Sequence, residues 1–211
     1  RGNQPTLHAV VRTTPGTFVA DGLKTDYQQL ALALDFERQQ AAIRLDFASK
    51  QIGNIDTDLL IREPAGRGML GGQLKFDDLK LNTFAPLIPE VRSLQGIISA
   101  DARFDGTLAA PLLFGQLNLR DGEVQTHSDM VTLTKLVTRL KIEGNRAELD
   151  GSMLVGKGPL ALGGWLSWAK MPVSGSLTIQ GKDLEAQYPG MGRVRVSPDI
   201  AVSLGEETRI T

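Results

Sequence analysis

Few residues in this 211-residue sequence have a type and spacing suited to chemistry. The two histidines, His8 and His127, are far apart, and neither has a second histidine at metal-ligand spacing. Asp56 and Asp58 share one face of a predicted strand, and 77–78 is a pair of aspartates in a predicted turn. Catalytic carboxylate pairs need a cleft and shifted pKa values. A solvated sheet face is the simpler interpretation of these acidic residues.

One segment has the letters of a dinucleotide-binding fingerprint. Residues 66–71 read GRGMLG, but that fingerprint requires a strand before it and the N-terminus of a helix after it. The residues that follow, 73–76, alternate as a strand does. The sequence has no nucleophile-elbow or acid-base signature either. We therefore expect no catalytic residue, no metal site and no cofactor, and a protein that is not an enzyme.

The composition points to a compartment and excludes one class of partner. Cysteine is absent, which suits an oxidising compartment such as the bacterial periplasm. Lys plus Arg number 23 and Asp plus Glu 24, so the net charge of −1 argues against nucleic-acid binding. The sequence opens on Arg1 without a signal-peptide pattern. We expect residues 1–211 to be one continuous β-rich segment of a longer periplasmic protein.

The dominant pattern in the chain has a period of two. Apolar residues alternate with small or polar ones in many short runs, the first at 30–36, which predicts strands with one apolar and one wet face. Turns are predicted at 37–40, 63–66, 105–106 and 121–122. About a dozen strands with no long amphipathic helix favour an antiparallel meander over parallel βαβ units.

Two places on this meander leave more than one interpretation open. The stretch Met130–Ile142 fits one face of a helix through Leu133 and Val137, and one face of a strand through Leu136 and Thr138. Its β-branched residues favour the strand. Trp165 and Trp168 are three residues apart, so a regular strand points them to opposite faces, with Trp165 outward. An outward Trp165 would contact a neighbouring segment, a membrane surface or a covering loop.

A sheet with one apolar face must cover that face with a second sheet, a closed barrel, a helix or a ligand. The sequence offers few helical residues, and aromatic residues make up only 5%. A packed β-sandwich and an open, ligand-lined groove both remain compatible with the pattern alone.

A family resemblance favours the groove. It rests on residues 89–122, which read PEVRSLQGIISADARFDGTLAAPLLFGQLNLRDG, and on two shorter segments downstream, 156–164 and 195–200. In the order and spacing of these motifs the second half of the chain resembles the C-terminal region of the TamB family, while the first half matches only in its alternation.

The resemblance implies a fold, a compartment and partners. The fold is all-β, an elongated, strongly curved antiparallel sheet folded over on itself, with a hydrophobic interior and little helix. TamB-like proteins are similar to AsmA-like, bridge-type lipid-transfer proteins and are anchored in the inner membrane. Their partners are the outer-membrane barrel protein TamA, reached through parts beyond this segment, phospholipid acyl chains, and nascent outer-membrane proteins as a further candidate.

We therefore expect a periplasmic bridge segment whose apolar groove conducts phospholipid. One alternative is a chaperone-like module that binds nascent outer-membrane strands by β-augmentation. Another is a structural spacer with a closed core. The predicted groove-lining residues are all large and apolar and alternate along their strands. They are Leu30, Leu32, Leu34, Phe36, Ile43, Leu45, Phe47, Ile98, Phe104, Leu117, Leu119, Leu160, Leu162, Leu177 and Ile179.

Overall fold

The structure is a computed structural model that describes residues 6–20, 23–37, 39–127, 132–170, 172–188, 192–205 and 209–210. Strands account for nearly all of its regular secondary structure, with one 3₁₀ helix at Leu81–Leu87. The strands are β1 (Leu7–Thr13), β2 (Gly16–Ala20), β3 (Leu23–Tyr27), β4 (Gln29–Glu37), β5 (Gln40–Ser49), β6 (Gly53–Arg62), β7 (Met69–Lys80), β8 (Val91–Gly106), β9 (Pro111–Thr126), β10 (Thr132–Gly144), β11 (Arg146–Val155), β12 (Gly158–Ser167), β13 (Ser174–Gly181), β14 (Leu184–Tyr188), β15 (Gly192–Val196), β16 (Asp199–Leu204) and β17 (Arg209–Ile210).

Thirteen of these strands form one antiparallel sheet in the order β1-β4-β5-β6-β7-β8-β9-β10-β11-β12-β13-β16-β17. Two hairpins, β2–β3 and β14–β15, are inserted between neighbouring strands of the sheet and pair only within themselves. The sheet is open, with β1 and β17 outermost. The prediction of an all-β chain with a long antiparallel sheet and little helix is confirmed, and its folding over on itself stays a prediction. Among the described residues, no helix is both long and apolar enough to cross a bilayer.

The predicted hairpin at 37–40 is confirmed, because β4 ends at Glu37 and β5 begins at Gln40. Two other predicted turns are wrong. Asp121–Gly122 lies inside β9, and Asp77–Asp78 lies inside β7. Both sites are β-bulges, where the register between neighbouring strands shifts and Asp78 and Asp121 adopt positive φ angles of 53° and 54°. Aspartate tolerates this left-handed conformation, which explains why a bulge has the composition of a turn.

The bulges continue into the neighbouring strands. Gly96 in β8, with φ of 141°, and Lys135 in β10, with φ of 52°, adjoin further register shifts. Four adjacent strands, β7 to β10, thus each carry an irregularity. Because a bulge bends its strand and increases the local twist, these irregularities favour curvature of the sheet along this line.

The ambiguous stretch is a strand as far as it is described. Thr132–Gly144 forms β10 and pairs with β9 and β11, while Met130 and Val131 lie outside the described residues. The register shifts between Thr134 and Val137. An inserted residue changes the phase of the alternation, so the apolar spacing on either side imitates a helix.

Little of the chain is deeply buried. Among the described residues, the apolar ones that are almost fully shielded are Ile52, Ala100, Ala102, Ala147, Leu160 and Leu184. The accessible surface is 14088 Å², whereas a compact protein of this mass exposes about 9,600 Å². This excess of about one half is expected for a sheet that presents both faces, since a two-layer fold hides one face of each layer.

An apolar face along the sheet as the candidate functional site

The fifteen predicted groove-lining residues all lie on one face of the sheet. Residues opposite each other in an antiparallel pair point to the same side. Leu30 pairs with Phe47, and Leu32 with Leu45. The register from β5 through β13 links these residues to the later members of the set, ending with Leu162 opposite Ile179.

The cross-strand partners form unbroken rows over this face. One row joins, in sheet order, Thr13, Leu30, Phe47, Ile55, Phe76, Ala100, Leu117, Leu140, Leu149, Gly164, Leu177 and Val202. Its members are aliphatic, aromatic, small or, at the β1 edge, threonine. Thirteen strands at the usual spacing of ~4.8 Å span about 60 Å along the sheet. We call this surface the apolar face.

The apolar face is only partly covered by the protein itself. Of the predicted groove residues, Leu160 is buried at 7% exposure and the other fourteen are half-buried. The large apolar side chains of a packed sandwich would be shielded by the facing sheet. Within the described residues no second sheet of comparable size exists to face this one.

The opposite face is polar and carries side-chain ion pairs. Lys75 Nζ is 3.0 Å from a carboxylate oxygen of Asp77, and Lys141 Nζ is 2.7 Å from one of Glu143. In each pair the hydrogen bond and the charge attraction raise the pKa of the lysine. Burial raises the pKa of Asp56, and the facing carboxylate of Asp46 raises it further. These pairs are exposed, so they add little to the stability of the fold and mainly keep this face hydrated.

Trp165 lies on the polar face, as predicted for an outward tryptophan. The guanidinium carbon of Arg146 lies 4.6 Å from the centre of its ring, a cation–π contact. Arg103 contacts Phe114 in the same way at 5.4 Å. Arginine side chains therefore cover part of the aromatic surface on this side.

The residues first considered for chemistry are dispersed over the fold. His8 pairs through Nδ1 with a carboxylate oxygen of Asp35 on the polar face, and His127 is exposed near Glu90. Asp58 faces Arg44 at 3.7 Å. The last three residues of the GRGMLG segment, 69–71, are the first three of β7. Among the described residues no group of three or more acidic or histidine side chains is placed to hold a metal ion.

Three side chains from outside the main sheet contact the apolar face and were not predicted. Tyr27 of β3 lies 6.5 Å from Phe47, ring centre to ring centre. Leu81 of the 3₁₀ helix and Leu184 of β14 pack over glycines of the sheet. The only sequence signal for these contacts is glycine, such as Gly158 and Gly181, at strand positions that leave room for a side chain packed over the sheet.

Comparison with known proteins identifies the family. Residues 2–119 match the family model of the TamB N-terminal domain, which is more than half of the chain. The chain is 27% identical over 195 residues to "Translocation and assembly module subunit TamB" of Haemophilus influenzae. That match covers 89% of this chain and 15% of the relative, so the chain spans about 15% of the relative's length. No solved structure matches.

The predicted family is confirmed, but the region differs. The resemblance in the second half indicates the family's C-terminal region, whereas the matched model describes the N-terminal domain and covers residues 2–119, which include the first half and most of the 89–122 segment. In the first half the sequence shows only general alternation, which is weak evidence because an amphipathic strand pattern is common to many all-β proteins. The chain belongs to the TamB family.

Proposed function

We propose that this chain is a non-enzymatic segment of a periplasmic bridge between the two membranes, and that its apolar face holds phospholipid acyl chains as they pass along the sheet. The observation that carries the proposal is the unbroken, half-buried apolar face. A surface of this extent, left uncovered by the protein, is typical of a binding site.

Hydrocarbon fits this face chemically. Acyl chains need a continuous apolar lining and no directional polar contact, and each buried CH₂ contributes about 0.8 kcal/mol. Most residues of the rows are interchangeable aliphatic side chains, so a chain that slides from one strand to the next exchanges like contacts. Such a surface holds a lipid by area and lets it move.

A peptide fits the face less well. The strands inside the sheet already use their backbone N–H and C=O groups in ladders with both neighbours. A peptide lying on the apolar face would bury its own backbone groups without partners, which is costly. β-Augmentation is therefore confined to strands with a free edge, which are the outermost strands of the sheet and the strands of the two inserted hairpins.

One edge supports a second candidate function. Leu7, Val10 and Val11 of β1 are exposed, and this outermost strand contains no proline or lysine to discourage pairing. Binding of an outer-membrane protein strand at β1 is the alternative. It concerns a different surface from the apolar face, so the two functions are separable by experiment.

The wider assignment rests on the relatives. The name of the Haemophilus influenzae relative places that protein in a translocation and assembly module. For the present chain we propose a periplasmic location in an inner-membrane-anchored protein that works with the outer-membrane barrel protein TamA in outer-membrane protein assembly. The contact with TamA would be made by parts outside this segment.

A charge placed on the apolar face tests the proposal. In the intact protein, Leu34→Arg and Leu162→Arg should abolish copurification of phospholipid, measured by mass spectrometry, while circular dichroism stays unchanged. Ala161→Arg is the matched control, because Ala161 neighbours Leu162 and points to the polar face opposite Gln180. If either charge on the apolar face unfolds the chain, the face is a closed core; if lipid is retained with the fold intact, the face does not bind it.

A further inference from the structure

An open cavity lies on the polar face of the sheet, on the side opposite the apolar face. Its volume is about 600 Å³, within the range of small-molecule sites. Four neighbouring strands, β10 to β13, contribute its lining. At a strand spacing of ~4.8 Å the first and last of these strands are about 14 Å apart, so the cavity has room for an elongated ligand lying across the strands.

Two rows of cross-strand partners form the cavity, and opposing residues point to the same face. One row joins, in sheet order, Lys141, Glu148, Trp165 and Ser176. The next row joins Arg139, Asp150, Gly163 and Thr178. Because Gly163 has no side chain, the polar face is lowered between Asp150 and Thr178. Trp165 is two residues farther along β12 and forms a wall beside this gap.

Trp165 provides an aromatic surface that the protein covers only in part. The guanidinium carbon of Arg146 lies 4.6 Å from the centre of the ring. The tryptophan side chain is half-buried and also lines the cavity. Among the described residues its indole N–H has no hydrogen-bond partner. The cavity therefore offers a ligand both an apolar ring and a hydrogen-bond donor.

The charges around the cavity nearly cancel. Lys141 and Arg146 each have a carboxylate partner within their own strand. Arg139 and Asp150 are opposite each other in the register, yet neither makes an ion pair with any residue that the structure describes. One unpaired charge of each sign remains, so the cavity favours neither an anion such as phosphate nor a cation.

The unpaired polar groups of the cavity differ in their hydrogen-bonding roles. Arg139 only donates, the carboxylate of Asp150 only accepts, and the hydroxyl of Ser176 does both. A ligand that uses all three is uncharged, carries donors and acceptors, and presents an apolar side to Trp165. Saccharides meet these conditions, because their hydroxyl groups donate and accept and one side of a pyranose ring consists of C–H groups.

We propose that this cavity binds the amino-sugar glycan strands of the cell wall. The inference goes beyond lipid binding and uses the opposite face of the sheet, and it rests only on the proposed periplasmic location. A protein that bridges the two membranes crosses the wall between them, so its polar face meets glycan strands. The open shape suits a strand that enters and leaves at either side, whereas a free monosaccharide requires a more enclosed pocket.

Hydroxyl-radical footprinting of the intact protein tests the site directly. The probe is the β-1,4-linked hexamer of N-acetylglucosamine, and mass spectrometry measures the oxidation of each tryptophan with and without it. Trp165 should be protected. Trp168 should not, because it lies outside the cavity, where its Nε1 donates to the carbonyl of Pro111. Protection of neither tryptophan, or equal protection of both, overturns the proposal.

Cosedimentation with purified cell-wall sacculi compares variants of the intact protein. Trp165→Ala should weaken binding about tenfold, and Asp150→Ala should weaken it severalfold. Phe114→Ala is the matched control, because Phe114 also lies on the polar face with an arginine over its ring but is outside the cavity. If Trp165→Ala does not fold, Asp150→Ala decides alone, since Asp150 is exposed.

Two results of these assays overturn the proposal. One is unchanged binding of sacculi in a folded Trp165→Ala or Asp150→Ala variant. The other is binding of sacculi without binding of the hexamer, which would assign the contact to the peptides of the wall and not to its glycan.

Leu34→Arg separates this inference from lipid binding. Leu34 is on the apolar face of β4, far along the sheet from the cavity. The variant should lose copurifying phospholipid and still bind sacculi as the unchanged protein does. Retained lipid in this variant counts against the lipid proposal alone, whereas loss of sacculi binding with the fold intact would place the glycan on the apolar face and overturn the present inference.

Discussion

Leu184 occupies the space in which a Cβ on Gly158 would lie, and it approaches the corresponding position on Gly181 to 2.9 Å. The leucine is almost fully buried although it belongs to a hairpin outside the main sheet. The attachment of β14–β15 to the sheet therefore depends on two glycines that provide no side chain.

We expect Gly158→Ala to destabilise the protein by about 1–3 kcal/mol, since the added methyl group overpacks against Leu184. Leu184→Ala should be destabilising through lost burial. The double variant should be less destabilised than the sum of the two, because the smaller residue leaves room for the methyl group. Urea unfolding of all four proteins measures the coupling. Strict additivity would mean that the two side chains do not compete for this space.

Two adjacent glycines of β7, Gly71 and Gly72, allow a matched test of the backbone geometry. A Cβ on Gly72, whose φ is 118°, would collide with the backbone carbonyl of Asp58, whereas a Cβ on Gly71 meets nothing within 4 Å. Gly72→Ala should therefore lower the free energy of unfolding by at least about 1 kcal/mol, and Gly71→Ala should leave it unchanged or slightly raised. Thermal unfolding compares them. Equal effects of the two changes would contradict this backbone geometry.

Asp56 should be a source of pH-dependent instability. Its pKa is raised in the folded protein, first by burial and then by Asp46, so the folded state holds this proton more tightly than the unfolded chain does. The contribution of Asp56 to the free energy of unfolding is therefore greatest below its ordinary pKa and is lost as the pH rises through the raised pKa. Asp56→Asn should stabilise the protein at pH 7 by at most about 0.5 kcal/mol, because Asp56 is only slightly shielded from water and the repulsion from Asp46 is therefore weakened by solvent.

The gain from Asp56→Asn should disappear in acid, below the ordinary pKa of 3.8. Asp58→Asn is the control, since Asp58 has an attractive partner in Arg44 and its replacement should give no gain. Urea denaturation at several pH values measures both variants. A gain that persists in acid would assign the effect to something other than charge.

The edge strand and the apolar face should act independently. Val10 is exposed on β1 and pairs with Ala33, on the polar side of the sheet. Val10→Lys should block pairing of a peptide strand at this edge, yet leave copurifying phospholipid unchanged. Val19→Lys, on the exposed hairpin strand β2, is the control. Loss of lipid in Val10→Lys alone would place the lipid at the edge.

The faces of the sheet could be predicted because the alternation is regular where the strands are regular. Every second residue from Leu30 to Phe36 is large and apolar and has an apolar or small partner in β5, so the pattern and the register agree. The prediction was wrong or ambiguous at bulges. The sequence predicts turns at Asp78 and Asp121, and the apolar spacing around Lys135 fits a helix as well as a strand, because one extra residue shifts the phase of the alternation without ending the strand.

The three side chains that contact the apolar face from outside the main sheet could not be predicted from the pattern. Tyr27, Leu81 and Leu184 lie outside the sheet, and their contacts join residues distant in the chain. Local alternation gives the face on which a residue lies but not what is placed over it. Glycines at 158 and 181 indicate that space is needed, and only the fold shows which side chain fills it.

The connections of this antiparallel sheet alternate between the two ends of the strands, which restricts how such a protein can change in length. Insertion of a single strand would reverse the direction of every later strand and transfer its hairpins to the other side. Insertion of a complete β-hairpin preserves both sides and adds two strand spacings, about 10 Å. Evolution can therefore lengthen this architecture in even steps, and the distance it reaches is set by the number of duplicated hairpins.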